Sequence, residues 1–293
     1  MSELQVAPGG DLGEVAYLRA PAGPERFRRR AQRLAALAPG HAAGDYLAFL
    51  ALVCEAQAAA AGATRLSPNG RDLPPGRPLD VAAPPPAEWR AALSSILASL
   101  EPAAMPGPAR EALRQLAAAG AGPLDELAGR VLSGELGADE LARAPLVGAA
   151  LQVPYVLLAA GVGAMPVARA GDAGCPVCGF GPVAGLLLAG DRLRYLSCGL
   201  CASEWHLTRL QCAVCRQADQ VAYLAVEGGD GVARAEACHR CRAYTKILDV
   251  EKAPRLEPAA DDLATLSLDL LVAEQGFART GRNLLLATAG GAS

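Results

Sequence analysis

The sequence predicts an α+β protein: an all-helical N-terminal domain, two successive four-cysteine hairpin modules and a C-terminal helix. Three observations lead there. Alanine-rich segments with helical apolar spacing, and only 4% aromatic residues, run to about residue 168. At Gly171-Asp172-Ala173-Gly174 the composition turns to glycine, cysteine and short alternating stretches until about residue 250. Of nine cysteines, eight lie between Cys175 and Cys241 in four pairs, each with a two-residue gap. The boundaries expected are a flexible N-terminus over 1–22, a helical domain over 23–170, four-cysteine modules over 171–209 and 210–252, and a C-terminal helix and tail over 253–293.

The first helix starts at Pro24, a good first-turn residue, and aligns Phe27, Ala31, Leu34 and Ala38 on one face. Arg26, Arg29, Arg30 and Arg33 occupy the other, read as a solvated basic face, with a docking surface for an acidic partner as the alternative. A second helix is expected from about Asp45 to Ala61, burying Leu47, Leu50, Val53 and Cys54; the isolated Cys54 reads as a small core residue. Seven prolines make 66–87 an extended surface loop. Helices follow near 88–100, 107–119, 122–134 and 138–143. From Ala144 to Ala168 no residue is charged, long enough for a bilayer span, but Pro145, Pro154, Gly161, Gly163 and Pro166 interrupt it. A buried helix from Gln152 to Ala160 between loops is expected instead, with no membrane insertion. Pro258 opens a final helix carrying Leu263, Leu266, Leu270 and Leu271 and stopped by Gly276. Its first-turn Asp261 and Asp262 read as complements to the helix dipole.

The cysteines carry the chemistry. In Cys175-Pro-Val-Cys178, Cys198-Gly-Leu-Cys201, Cys212-Ala-Val-Cys215 and Cys238-His-Arg-Cys241, each gap lets both sulfurs face one ion while turn N–H groups point at them. Two such pairs complete a tetrahedral shell. Gly185–Ala189, a Gly190-Asp191 turn and Arg192–Leu196 form a hairpin pattern between the first two pairs. Val221–Val226, a turn through Gly228, Gly229 and Gly231, and Val232–Ala237 repeat it between the last two. The repeat predicts sequential sites, Cys175/Cys178/Cys198/Cys201 and Cys212/Cys215/Cys238/Cys241, over a crossed pairing. Tetrathiolate shells suit zinc, as in zinc ribbons, or a single iron, as in rubredoxin-like sites. His206 and His239 lie nearby, but the shells are already full without them.

The N-terminus has neither a basic n-region nor an apolar h-region, so a reducing cytoplasm is expected, where paired thiols favour metal over disulfide. A formal charge of −3 implies no bulk pull toward polyanions. From Cys175 to Val250 eight Lys/Arg stand against seven Asp/Glu, which argues against nucleic-acid binding. Closed shells argue against a zinc hydrolase and four matching pairs against a thiol oxidoreductase. From the residues alone, a protein–protein adaptor remains.

The runs CPVCGFGPVAG, RLRYLSCGLCASEWH, CAVC, AEACHRCRAYTKIL, EPAADDLATLSLDLL and GFARTGR closely resemble the FdhE family of formate dehydrogenase accessory proteins. RLAALAPGHAAGDYLAFLALVCEAQ and ALQVPYVLLA extend the resemblance through the N-terminal part. It departs from the family pattern at His239, Arg240, Arg242 and Thr245. The resemblance implies a non-enzymatic factor acting in the cytoplasm on the catalytic subunit of respiratory formate dehydrogenase. It also implies iron in two rubredoxin-like sites, with zinc as the alternative metal. A rubredoxin-like thiol/iron redox protein is the other function it leaves open.

Overall fold

A computed structural model describes residues 15–66, 77–102, 105–162, 174–190 and 192–288. The first fourteen residues, residues 67–76 of the proline-rich stretch, residues 103–104, the stretch 163–173 with most of the glycine junction, the turn residue Asp191 and the tail 289–293 lie outside the described residues.

Helices α1 (Pro24–Leu37), α2 (Gly44–Ala63), α3 (Glu88–Ser99), α4 (Gly107–Ala118), α5 (Ala121–Ser133) and α6 (Ala144–Ala159) form the N-terminal body. Residues Ala138–Glu140 make only a 3-10 turn. Helix α6 begins eight residues earlier than expected, because Pro145 sits in its first turn, where a missing N–H costs nothing. It continues through Pro154, buried on nearly every side. Helix α2 is long and apolar enough to cross a membrane by length and composition alone. It nevertheless packs into the core through Leu47, Leu50, Val53 and Cys54, all fully buried. Burial pushes the Cys54 thiol up to about 12, in keeping with a core residue.

The ribbon half is one mixed sheet of strands β1 (Leu18–Arg19), β2 (Pro182–Leu187), β3 (Arg194–Cys198), β4 (Glu204–His206), β5 (Val221–Leu224), β6 (Ala233–Cys238), β7 (Ala243–Asp249) and β8 (Ala278–Arg279). The main order is β1-β4-β3-β2-β7-β6-β5, with β8 beside β7. Both expected hairpins form, β2–β3 and β5–β6, and each gains a third strand, β4 or β7. The two modules then fuse through parallel β2 and β7, Gly185 opposite Ile247. Buried Arg194 reinforces the seam by pairing with Glu236 across it and donating to the Thr208 and Gln211 carbonyls at 2.7 Å. Strand β1 adds to β4, Leu18 opposite Trp205, so Leu18 and Arg19 are held in the sheet although they fall in the stretch expected to be flexible.

The C-terminal helix is two, α7 (Pro258–Leu263) and α8 (Leu266–Glu274). The break leaves backbone carbonyls that a cation can satisfy. Lys246 of β7, fully buried, donates to Asp262 O at 2.9 Å and Thr265 O at 3.2 Å.

Two readings of charge are corrected here. Arg26, Arg30 and Arg33 are not a solvated face. Arg30 is 2% exposed and donates to Glu257 Oε1 at 3.2 Å and Gln152 Oε1 at 2.8 Å. Arg26 Nε lies 3.0 Å from Glu257, and Arg33 Nε donates to Asp261 Oδ2 at 2.9 Å. Arg29 alone of the four stays exposed. The acidic partner is thus the chain's own C-terminal segment, 227 residues away for Arg30 and Glu257. Asp261 does sit in the first turn of α7, where its Oδ2 accepts from Glu257 N at 2.8 Å, but it is also buried against Arg33. Asp262 is a buried ion-pair residue instead of a first-turn complement; the N-cap is Glu257, which accepts from Ala260 N at 2.9 Å. Proximity to Arg30 and Arg26 overrides burial and holds the Glu257 carboxyl below the ordinary glutamate range. A carboxylate depressed in the folded state stabilises above its unfolded pKa, near 4.3, and loses that contribution as pH falls through the folded value. The stability gap between wild type and Glu257→Gln is therefore expected to be full near neutral pH and to shrink below about pH 4. Denaturant melts at several pH values check this; a pH-independent gap contradicts it.

Candidate metal centres

Each cysteine pair sits at the mouth of a hairpin. Cys175 and Cys178 precede β2, and Cys198 and Cys201 lie where β3 ends; the second module repeats the plan around β5 and β6. Within each knuckle the chain curls back on itself: Gly179 N donates to Cys175 O at 2.8 Å, and Arg216 N to Cys212 O at 3.1 Å. Backbone N–H groups also point at sulfur, Leu200 at Cys198 and Val214 at Cys212, both at 3.4 Å. The residue after each second cysteine has a left-handed backbone: Gly179 (φ 79°), Ala202 (57°), Arg216 (60°) and Arg242 (59°). Only the first is glycine, so three knuckles hold a conformation that costs an L-residue roughly 1–2 kcal/mol. The sequence reading missed this shared feature, because glycine marks it only once.

The folded chain assembles all eight predicted cysteines into two groups of four, in the sequential grouping. Within each group the sulfurs lie within 4.8 Å of one another. Cys175–Cys201 and Cys178–Cys198 sulfurs are 3.6 and 3.4 Å apart; Cys212–Cys241 and Cys215–Cys238 are 3.6 and 3.7 Å apart. These separations are far too long for disulfides, near 2.05 Å. They approach the edge of about 3.8 Å for a tetrahedron with metal–sulfur bonds near 2.3 Å. The donor set therefore fits a four-coordinate thiophilic ion in each group. Neither His206 nor His239 belongs to a group. His206 packs edge-on to Tyr195, 5.6 Å between centroids, and burial with nearby Arg194 holds it below the ordinary histidine value. His239 packs edge-on to Phe277 at 5.2 Å, and the Arg242 guanidinium lies 3.9 Å from the centre of that ring.

The sites differ in their surroundings. All four cysteines of the first are at most 3% exposed and belong to the hydrophobic core that includes α1, α2, α3 and α6. Gln152 of α6 joins them, donating to Gly199 O inside the second knuckle at 2.8 Å while accepting from Arg30 and Gln57. The segment before α3 adds Leu79 N to Val177 O and Val81 N to Cys178 O at 3.0 and 2.8 Å. Burial drives the Cys175 and Cys178 thiols far up. Burial also opposes ionisation of Cys201, but its hydrogen bonds with the other three thiols and Ser203 outweigh it and lower that pKa. Four ionised sulfurs in this apolar setting need a bound cation. At the second site Cys215 and Cys241 are only half-buried, and Leu210 and Val214 beside it are exposed.

Gly199 marks how closely the first site is built in. A Cβ there would meet Arg282 O at 2.5 Å and the Phe180 ring at 3.1 Å. Gly199→Ala is expected to destabilise the protein by about 1–3 kcal/mol through overpacking and to lower metal retention at the first site. Thermal melts and metal analysis check this; wild-type values for both refute it.

The fold and sites define a helical-body protein with two surface-to-core graded tetrathiolate sites, each able to hold one metal ion. The N-terminal, central and C-terminal domains of FdhE match residues 15–172, 174–209 and 210–286. The chain is 36% identical over 273 residues to a protein FdhE homolog of Cronobacter sakazakii, covering 89% of this chain and 87% of that one. It is 35% identical over 274 residues to protein FdhE of Salmonella dublin, with the same coverage. The crystal structure of the FdhE protein from Pseudomonas aeruginosa superposes with a TM-score of 0.81 at 35% identity, covering 94% of this chain and all of that one. The chain belongs to the FdhE family.

Proposed function

We propose that this protein is a non-enzymatic accessory factor for the cytoplasmic maturation of formate dehydrogenase. In this reading the eight cysteines are metal ligands, with iron favoured over zinc, and the catalytic subunit is the client. The helical domain over 23–170, the modules over 171–209 and 210–252 and the C-terminal segment from 253 engage it together. The observation that carries the reading is the assembly of all eight cysteines into two closed four-sulfur shells in a chain that matches the N-terminal, central and C-terminal domains of FdhE. Four protein ligands leave no open coordination position, which favours a scaffolding or sensing role over hydrolysis.

The test is affinity purification of the tagged chain from cells expressing formate dehydrogenase. The catalytic subunit is expected to co-purify, and deletion of the accessory protein to lower formate oxidation. Absence of both effects overturns the reading. The half-buried Cys215 and Cys241 favour one alternative, a rubredoxin-like redox protein. Visible spectra of anaerobically purified protein, oxidised and reduced, separate the two: a reversible iron–thiolate band without client association selects the redox role.

A further inference from the structure

A cleft of about 400 Å³ opens between α1, the end of β2 and the segment leading into α7. That volume lies within the range of small-molecule sites. Its apolar lining includes Leu186, Leu188, Val250 and Leu256. Arg19, Arg26, Arg29, Arg33 and Arg255 line it as well.

The arginines outnumber the acids that face them. Arg19 and Arg26 share Glu204, Arg26 and Arg30 share Glu257, and Arg33 pairs with Asp261. Among the described residues, Arg29 and Arg255 have no carboxylate partner, and both are exposed at the rim. The deeper guanidinium groups are held rigidly by their ion pairs, so the excess charge at the rim is backed by a fixed positive frame. A concave, partly apolar surface focuses such a field and concentrates anions. Guanidinium forks match phosphate oxygens, and arginine rather than lysine supplies every cation here.

We propose that this cleft binds a phosphorylated organic anion. Its phosphates lie against Arg29 and Arg255, and its apolar body rests on Leu186, Leu188 and Val250. The site lies at the junction of the helical body, β4 and the C-terminal segment, so a ligand there touches all three.

Isothermal titration calorimetry of the full, metal-loaded chain tests this with four probes: pyrophosphate, adenosine diphosphate, succinate and a polyglutamate peptide. Adenosine diphosphate is expected to bind at least tenfold more tightly than pyrophosphate, and pyrophosphate more tightly than succinate. The exposed-residue double variant Arg29→Glu/Arg255→Glu is expected to weaken both phosphate probes at least tenfold, with bound metal and circular dichroism unchanged. Leu188→Asp is expected to weaken adenosine diphosphate selectively. The proposal is overturned if neither phosphate probe binds, or if charge reversal leaves their affinity unchanged. Equal binding of succinate also overturns it, and tighter binding of the polyglutamate peptide marks the cleft as a protein-docking surface instead.

Discussion

Cys178→Ser is expected to lower the thermal midpoint of the metal-loaded protein by roughly 10–20 °C, and Cys241→Ser by only a few degrees, although each removes one ligand. A closed structural site contributes apparent binding energy on the order of 10 kcal/mol, and how much reaches global stability depends on what the site holds together. Cys178 is fully buried in the same core as Trp89, Leu146 and Val156. Losing that ion removes the link between its knuckles and loosens the surface on which α6 and the residues before α3 are hydrogen-bonded. Cys241 is half-buried, and none of the four cysteines of its site belongs to that core, which reaches the site only through Ala213. There the same loss frees two knuckles that are each half open to solvent, while β6 and β7 remain paired. Each variant is expected to lose about one ion per chain, and a chelator to strip the second site before the first. Calorimetry with metal analysis decides: equal midpoint shifts, or loss of both ions from one substitution, refute the graded arrangement.

Asp262→Ala is expected to destabilise the protein by about 3–5 kcal/mol, the cost of leaving buried charge unpaired. Asp262 is fully buried and faces Lys246 Nζ at 2.9 Å, the Arg279 guanidinium and Asn283 Nδ2 at 2.9 Å. Those cations override the burial that would raise its pKa and hold the carboxyl low. Without it, Lys246 keeps Asp269 at 2.6 Å, but one carboxylate then serves two buried cations. The double variant Lys246→Met/Asp262→Ala is expected to recover part of the loss, because it removes one of the stranded charges. A double-mutant cycle from urea melts measures the coupling. A cost under about 1 kcal/mol for Asp262→Ala alone contradicts the reading.

These two regions differ in how far they could be read in advance. The cysteine pairs are local: a two-residue gap and a repeated hairpin are enough to specify two sequential four-sulfur groups, and the structure assembles those groups. The arginines of α1 looked solvated because their partners, Glu204, Glu257 and Asp261, are distant in the chain and sit in segments with ordinary loop or helix-start patterns. Lys246 is hidden in a strand that no alternation marks, since its partners are the carbonyls of a helix break and the Asp262 and Asp269 carboxylates, all distant along the chain.

By itself, then, the sequence determined the metal-binding chemistry, the sequential grouping and most of the helices, because each rests on short-range spacing or periodicity. Tertiary structure decided that the modules fuse through β2 and β7, that one site is fully buried and the other only half so, and that the basic face of α1 turns inward. Those outcomes depend on strand pairing and charge pairing between segments far apart along the chain, which only the packed molecule brings together.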